Sequence, residues 1–507
     1  MEQEIFTKED IKTLESCNKT VSSAKREYEI LLKGVQFVNI QNSATIENGG
    51  IQKFSDQEFE NYMKKGKHEI KQNHVIKFNP ASGAASRMFK QLHFYHQEKD
   101  RFSLEDIKKI DLEVYNFVTH FHSNISKFAF YDELIELFKK KGLTRYDDIS
   151  QIISFILTED GLDYSNKPKA FIKFHKYSEE DIRDAFEEQI VEGIACGITK
   201  YHFTFSPEHE KIAIERIKEV KKKYNKYQIE INYSFQDPAT NTIALDVKTK
   251  LPSRDKNGKL ILRMGGHGSL INNVNNLKEE IAILKNIDNI PKEDMQDLVC
   301  ENILANIGYT KLLHEKISNV INLILNKKIS IKDTTEFLEK DLCIKVPNTF
   351  FKLNEDEQYK ILFSKINRPI KVCQMVSNDG EPGGGPVFVM SKDGFSYLRI
   401  AEQAEAENGK NNQHMKGGTH FNPVNLTMYL KDYKGEFFDL NNYINWDSCF
   451  ISAKSHEGKD ILALELPGLW NGATEDFITI FVDAPIETFQ PVKTVNDLLR
   501  DGHLVKK

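Results

Sequence analysis

Apolar and polar positions along the chain change rhythm several times. Residues 1 to about 70 read as helical. Two start signals there, Thr7-x-x-Asp10 and Ser55-x-x-Glu58, have the form of capping boxes. At Val75-Ile76-Lys77-Phe78 the pattern shortens to a strand. Residues 89–160 return to helical spacing, clearest in IKKIDLEVYNFVTHF and DELIELFKKKG. Beyond them strand-like runs alternate with helical ones: KPKAFIKFH before the helical DIRDAFEEQIVEGIACG, YHFTF before a helix reaching about Lys223, then YQIEINYSF. Ser206-Pro207 reads as the N-cap and first position of that second helix. Residues 291–340 read as helix, and from 345 onward strands dominate.

Alternating strands and helices are the mark of an α/β domain with a largely parallel sheet. The segments expected are a helical N-terminal part at 1–70, an α/β core at 71–290 interrupted by a helical insertion at 91–165, a helical insertion at 291–345, and a β-rich part at 346–507. No repeat period or low-complexity tract interrupts them.

Composition narrows the partners. A formal net charge of −6 over 507 residues offers no electrostatic footprint for nucleic acid. The run around Lys218–Lys223 reads as a solvated helix face. No apolar run reaches the ~18 residues of a membrane span, and the charged N-terminus carries no signal core. Six scattered cysteines without a C-x-x-C pair fit a reducing compartment, so a cytoplasmic protein is expected. The 15 histidines show no H-E-x-x-H or similar ligand spacing.

The most suggestive stretch is FNPASGAASRM, residues 78–88, where a strand runs into small residues and then an arginine. Small side chains let a phosphate approach backbone amides at the start of a helix, and Arg87 adds a charge-assisted contact. A tight strand-to-helix corner is the structural alternative. The stretch is neither a P-loop nor G-x-G-x-x-G.

Residues 81–88 are similar to the A-[AG]-G-x-G-[TS]-R-[ML] opening of the nucleotide-sugar pyrophosphorylases, which include UTP–glucose-1-phosphate uridylyltransferases and UDP-N-acetylhexosamine pyrophosphorylases. Ala85 stands where that pattern has glycine. Further resemblances follow in order, from about 75 to 500. Pro168-Lys169-Ala170-Phe171 resembles P-K-x-[LM], eighty residues later than usual. YSFQDPATNTIAL resembles a base-contacting stretch, with Asn241 at a usual glycine. MGGHGSL (264–270) resembles a P-[GP]-G-[HN]-G loop, and Asp288 in AILKNIDNI a strand-end acid. LRIAEQAE resembles a sugar-gripping V-x-E-Y segment, and GTHFNPVNL a late N-x-x-N strand. FQPVKTVNDLL (489–499) resembles F-x-P-V-K-[TN]-x-x-D-L-L. The loops GEPGGGP and ELPGLWNG point to a bacterial domain-of-unknown-function branch.

The resemblance implies a Rossmann-like, GT-A-type nucleotide-diphospho-sugar transferase core with a mixed sheet, and nucleotidyl transfer between a nucleoside triphosphate, UTP first, and a sugar 1-phosphate. It implies Arg87, Lys169 and Lys493 as catalytic cations, and Ser82, Gly83, Ala84, Ser86, Gln236, Gly266 and His267 as nucleotide contacts. Glu402 and Asn422 would read the sugar, and Asp288 and Asn425 would hold Mg²⁺. Two other readings stand beside it. One is a non-catalytic nucleotide-sugar binder with a degenerate site, which Ala85 and Asn241 favour. The other is a glycosyltransferase that consumes a nucleotide sugar, which needs neither Arg87 nor Lys493.

Overall fold

The computed structural model describes residues 5–34, 37–378, 384–406 and 409–505, without the side chains at 404, 409–412 and 422. Part of the GEPGGGP loop, 380–383, thus lies outside the described residues. The protein is mixed α/β and divides into two compact units, each assembled from three stretches of chain. Met1–Glu69, Gln236–Ile283 and Ala305–Ala484 form the first; Ile70–Phe235, Leu284–Leu304 and Pro485–Lys507 form the second.

In the first unit both predicted capping boxes form. Thr7 N–H donates to Asp10 Oδ2 at 2.8 Å and Asp10 N–H to Thr7 Oγ1 at 3.2 Å, opening helix Lys8–Ser16. Ser55 and Glu58 exchange the equivalent bonds at the start of Asp56–Lys71. Leu14, Ala24 and Leu31 from the first two helices bury against Ile243, Leu245 and Leu464. The N-terminal helices are therefore part of this unit's core. The strands Thr242–Asp246 and Leu262–Arg263 lie in one antiparallel sheet with Phe450–His456 and Lys459–Glu465. Ile370–Ser377 pairs parallel with Ile478–Asp483 and antiparallel with His420–Tyr429. Strand Ile40–Ser43 escaped the periodicity, as did helix Glu355–Ile366, opened by an Asn354–Glu357 capping box.

The second unit holds the parallel strands Val75–Pro80, Lys200–Phe205 and Glu230–Phe235, in that order. Helices Ala185–Ala195 and Glu210–Lys223 connect them. The expected insertion is a set of short helices from Lys90 to Leu157. Its IKKIDLEVYNFVTHF stretch breaks in two at Asp111, whose carboxylate caps Leu112–Ser123 by accepting from Val114 N–H at 3.0 Å. DIRDAF is not helical throughout. Ile182–Asp184 pairs with Lys173–Lys176 in a hairpin, and Asp184 caps the helix that follows.

Candidate functional site

Parallel pairing sets Pro80 beside Thr204 and Phe205 beside Phe235, so these three strands end along one edge. Open α/β sheets place their ligands at that carboxyl edge. The small-residue loop starts there. Ala81 N–H donates to Thr204 O at 2.9 Å. Ser206 stands at the N-cap of the turn Pro207–His209 with Pro207 at its first position, as expected, but its hydroxyl makes no capping bond; it donates to Ser82 O at 3.1 Å and braces the loop from the neighbouring strand. Gly83, Ala84, Ser86 and Arg87 are exposed and Ser82 is half-buried. A Cβ on Gly83 would meet nothing within 4 Å.

Two sequence expectations change here. Ala85 is fully buried, so its methyl is covered by protein and does not stand in an open loop. The loop also runs first into a single 3₁₀ turn, Ala85–Arg87, while the α-helix begins only at Lys90. The amides near Arg87 thus belong to a loop and a tight turn, without the aligned dipoles of a helix start.

The displaced Pro168-Lys169 returns to this loop despite its separation in sequence. Pro168 bridges to Ala84, and Lys169 N–H donates to Gly83 O at 3.0 Å. Lys169 Nζ meets Asp288 Oδ2 at 2.6 Å and also donates to Val492 O. Asp288 lies four residues past the strand Ile281–Leu284, in a turn and not at the strand end. That turn is held from below. The Gln189 side-chain amide reaches the carbonyls of Asn286 at 3.0 Å, Ile287 at 3.2 Å and Asn289 at 3.4 Å. Asn79 Nδ2 donates to Lys285 O at 2.8 Å.

Beneath the turn, Glu192 takes Lys77 at 2.8 Å and Lys285 at 2.5 Å, with all three side chains fully buried. Burial acts to raise the Glu192 pKa, but the two ammonium groups outweigh it and hold the carboxylate below its usual range. Burial lowers Lys285.

The segment 489–499 closes the constellation. Gln490 N–H donates to Asn289 Oδ1 at 2.8 Å, Val492 N–H to Asp288 O at 3.0 Å, and Val495 N–H to Met88 O at 3.0 Å. Asp497 accepts from the amides of Lys493 and Thr494, both at 2.7 Å. Lys493 is thereby fixed by its backbone while its side chain stays exposed. Backbone contacts thus bring the loop before Arg87, Lys169, Asp288 and the Lys493 segment to one edge of the second unit.

The remaining expected residues lie in the first unit. Gln236 donates to Thr240 Oγ1 at 3.4 Å. Asn241 has φ −62°, a conformation open to any residue, so it does not need the usual glycine. Glycines of MGGHGSL serve close packing within the protein. A Cβ on Gly265 would lie 2.6 Å from Thr240 O, and one on Gly268 2.1 Å from Pro467 O. Gly266 has φ +76° and lies beside Glu465. His267 Nδ1 accepts from Leu469 N–H at 3.2 Å. Burial lowers its pKa, against the pull of Glu402 and Glu465. Glu402 accepts from Asn471 Nδ2 at 2.8 Å. Gly266, His267 and Glu402 are thus gathered around ELPGLWNG, 465–472. Asn425 is buried, its amide donating to Gln374 at 2.5 Å and accepting from Asn306 at 3.4 Å. A partnered internal amide is a poor metal ligand, so Asn425 drops out of that role. Asn422 lies on His420–Tyr429, with its side chain outside the described ones.

The model of the domain of unknown function DUF4301 matches residues 7–504. The chain belongs to the DUF4301 family. No curated protein matches it. Among solved structures, it is similar to a mutant UDP-glucose pyrophosphorylase from Leishmania major in complex with UDP-glucose, at 10% identity over 97% of this chain and 77% of that one, with a TM-score of 0.43. It is also similar to the uridine diphosphate N-acetylglucosamine pyrophosphorylase from Trypanosoma brucei in complex with an inhibitor, at 10% identity over 97% and 79%, with a TM-score of 0.45.

Several residues of this DUF4301 chain that build the site carry no motif signal. Gln189 sits inside the largely buried helix Ala185–Ala195, and Asn79 inside a strand. Only the carbonyls they hold, about 100 and 206 positions away, reveal them. Asp497 had a signal, since it stands in the FQPVKTVNDLL stretch.

Proposed function

We propose that the protein is a sugar-1-phosphate nucleotidyltransferase on a GT-A-type core, joining a nucleoside triphosphate, UTP first, to a sugar 1-phosphate. One observation carries this reading: segments lying as far apart as 82–87, 169, 288 and 493 meet at one strand-end edge and bring cations and a carboxylate with them. Two polyanions must be joined in such a reaction, so positioning and charge neutralisation are the main tasks.

A phosphate oxygen of the sugar phosphate attacks the α-phosphorus; the bond to the β-phosphate bridge breaks and pyrophosphate leaves. No protein nucleophile or proton transfer is needed. Arg87 and the 82–86 loop hold the β and γ phosphates, where charge builds on the leaving group. Lys169 and Lys493 steady the α-phosphate and the sugar phosphate.

Asp288 fits Mg²⁺ in one respect: Oδ2 meets Lys169, while no hydrogen bond reaches Oδ1 among the described residues. A hard cation that takes one carboxylate and completes its shell with phosphate oxygens and water matches this donor set. Bound there, it would neutralise phosphate charge and orient the two substrates.

The test is a pyrophosphate-release screen of UTP, CTP, GTP and ATP against a panel of sugar 1-phosphates with Mg²⁺. Release with one pairing is expected. Silence across the whole panel ends the reading.

A further inference from the structure

The ion pair between Lys169 and Asp288 has a consequence of its own. Each residue is assigned to a different ligand, the lysine to phosphate and the aspartate to a divalent cation, yet they are joined at 2.6 Å with side chains only 14% and 19% exposed. The same ammonium also donates to Val492 O, so it is held by two acceptors. Other pairings do not share this arrangement. Arg87 and Lys493 are exposed and enter no ion pair among the described residues, and Lys493 is anchored by Asp497 through its backbone alone.

We infer that Lys169 and Asp288 form a latch which a divalent cation and a polyphosphate open together. This rests on the function proposed above for its choice of ligands, but it is a statement about binding. A cation taken at Asp288 sits on the carboxylate that holds the ammonium, and repulsion between the two positive charges drives the ammonium off. A polyphosphate that recruits the ammonium must strip the aspartate of its partner. Either ligand alone breaks the pair and leaves one buried charge poorly matched, a costly arrangement. With both present, each liberated group meets an opposite charge. Binding of the two is therefore positively coupled, and the coupling is reciprocal. The rest of the site does not open with the latch. The Asp288 turn stays fixed by Gln189, and 489–499 by Asn289, Met88 and the Asp288 backbone carbonyl. The response is confined to two side chains.

The prediction has crossed signs. Removing one partner of the latch should weaken the binding of its own ligand and strengthen the binding of the other. Calorimetric titration of the full chain with Mn²⁺ alone, and separately with tripolyphosphate in EDTA, reads both terms without metal–phosphate complexes in solution. Lys169→Ala should bind Mn²⁺ roughly tenfold tighter than wild type, the size of one charge-assisted hydrogen bond, and tripolyphosphate more weakly. Asp288→Asn should lose Mn²⁺ and bind metal-free tripolyphosphate roughly tenfold tighter. Lys169→Gln, which keeps a donor for Val492 O, gives the same readout should Lys169→Ala melt early. If each variant loses only its own ligand and leaves the other affinity unchanged, the latch is wrong. The outcome is independent of the release screen. A protein without transferase activity can still show the crossed pattern, and an active one can lack it.

Discussion

Single residues divide into those that touch solvent at the site and those that only let the chain pack. Arg87 and Lys493 are of the first kind: exposed, without ion-pair partners among the described residues, and attached to backbone secured by its neighbours. Truncating either should leave the melting temperature within a degree or two and cut pyrophosphate release about 10²–10³-fold, the usual effect of losing one preorganised cation. Turnover near wild type would remove that residue from the mechanism. Gly268 is of the second kind. Its missing Cβ is where Pro467 O stands, at 2.1 Å, so Gly268→Ala should destabilise the first unit by about 1–3 kcal/mol, read as a lowered unfolding midpoint. The sequence motif around Gly268 suggested a nucleotide loop. The close neighbours explain the glycine by chain-to-chain contact with ELPGLWNG, which no local rule reveals.

At the scale of elements, the helix Ala185–Ala195 matters most to the site because it supports the Asp288 turn. Gln189 directs one side-chain nitrogen at three carbonyls of that turn, and Glu192 pins Lys77 and Lys285 a turn further along. Gln189→Leu keeps the volume and removes the clamp. Its expected effect is an increase of about tenfold in the Mg²⁺ concentration needed for half-maximal release, with kcat at saturating Mg²⁺ changed less; three carbonyls lose a shared donor worth about 1–3 kcal/mol. An unchanged Mg²⁺ requirement would make the clamp a matter of stability alone. Legibility in the sequence follows the reach of the interaction that fixes each element. The capping boxes at Thr7 and Ser55 close within three residues and were readable. Ser206-Pro207 has the same local look, but its hydroxyl goes to Ser82 O, 124 positions back. The strand Ile182–Asp184 was hidden in a helical pattern because its partner in the hairpin, not its own periodicity, decides it.

At the scale of the whole molecule, residues 485–505 tie the second unit together, and part of that tie responds to pH. His503 is buried beside His175, with 3.0 Å between their ring nitrogens, and His175 in turn meets Glu188 at 2.7 Å. Burial, aided by His175 and Arg500, lowers the His503 pKa from 6.5 to about 3. The unfolded chain therefore takes up a proton that the folded one refuses. Stability contributed here is complete above about pH 6.5 and is lost as pH falls toward 3, at roughly 1.4 kcal/mol per unit. His503→Asn should flatten the fall of the unfolding midpoint between pH 6.5 and 4; an undiminished slope would assign it to other groups, such as His314, lowered to about 4 in the first unit. Both units are also threaded through the gene out of order. A ribosome delivers Ile70–Phe235 long before Pro485, and in between it makes most of the other unit. The strand-end edge therefore cannot mature as the chain emerges, and must wait, partly built, for a late segment. A fragment cut at a linear boundary, such as after residue 290, would sever both bodies and isolate neither.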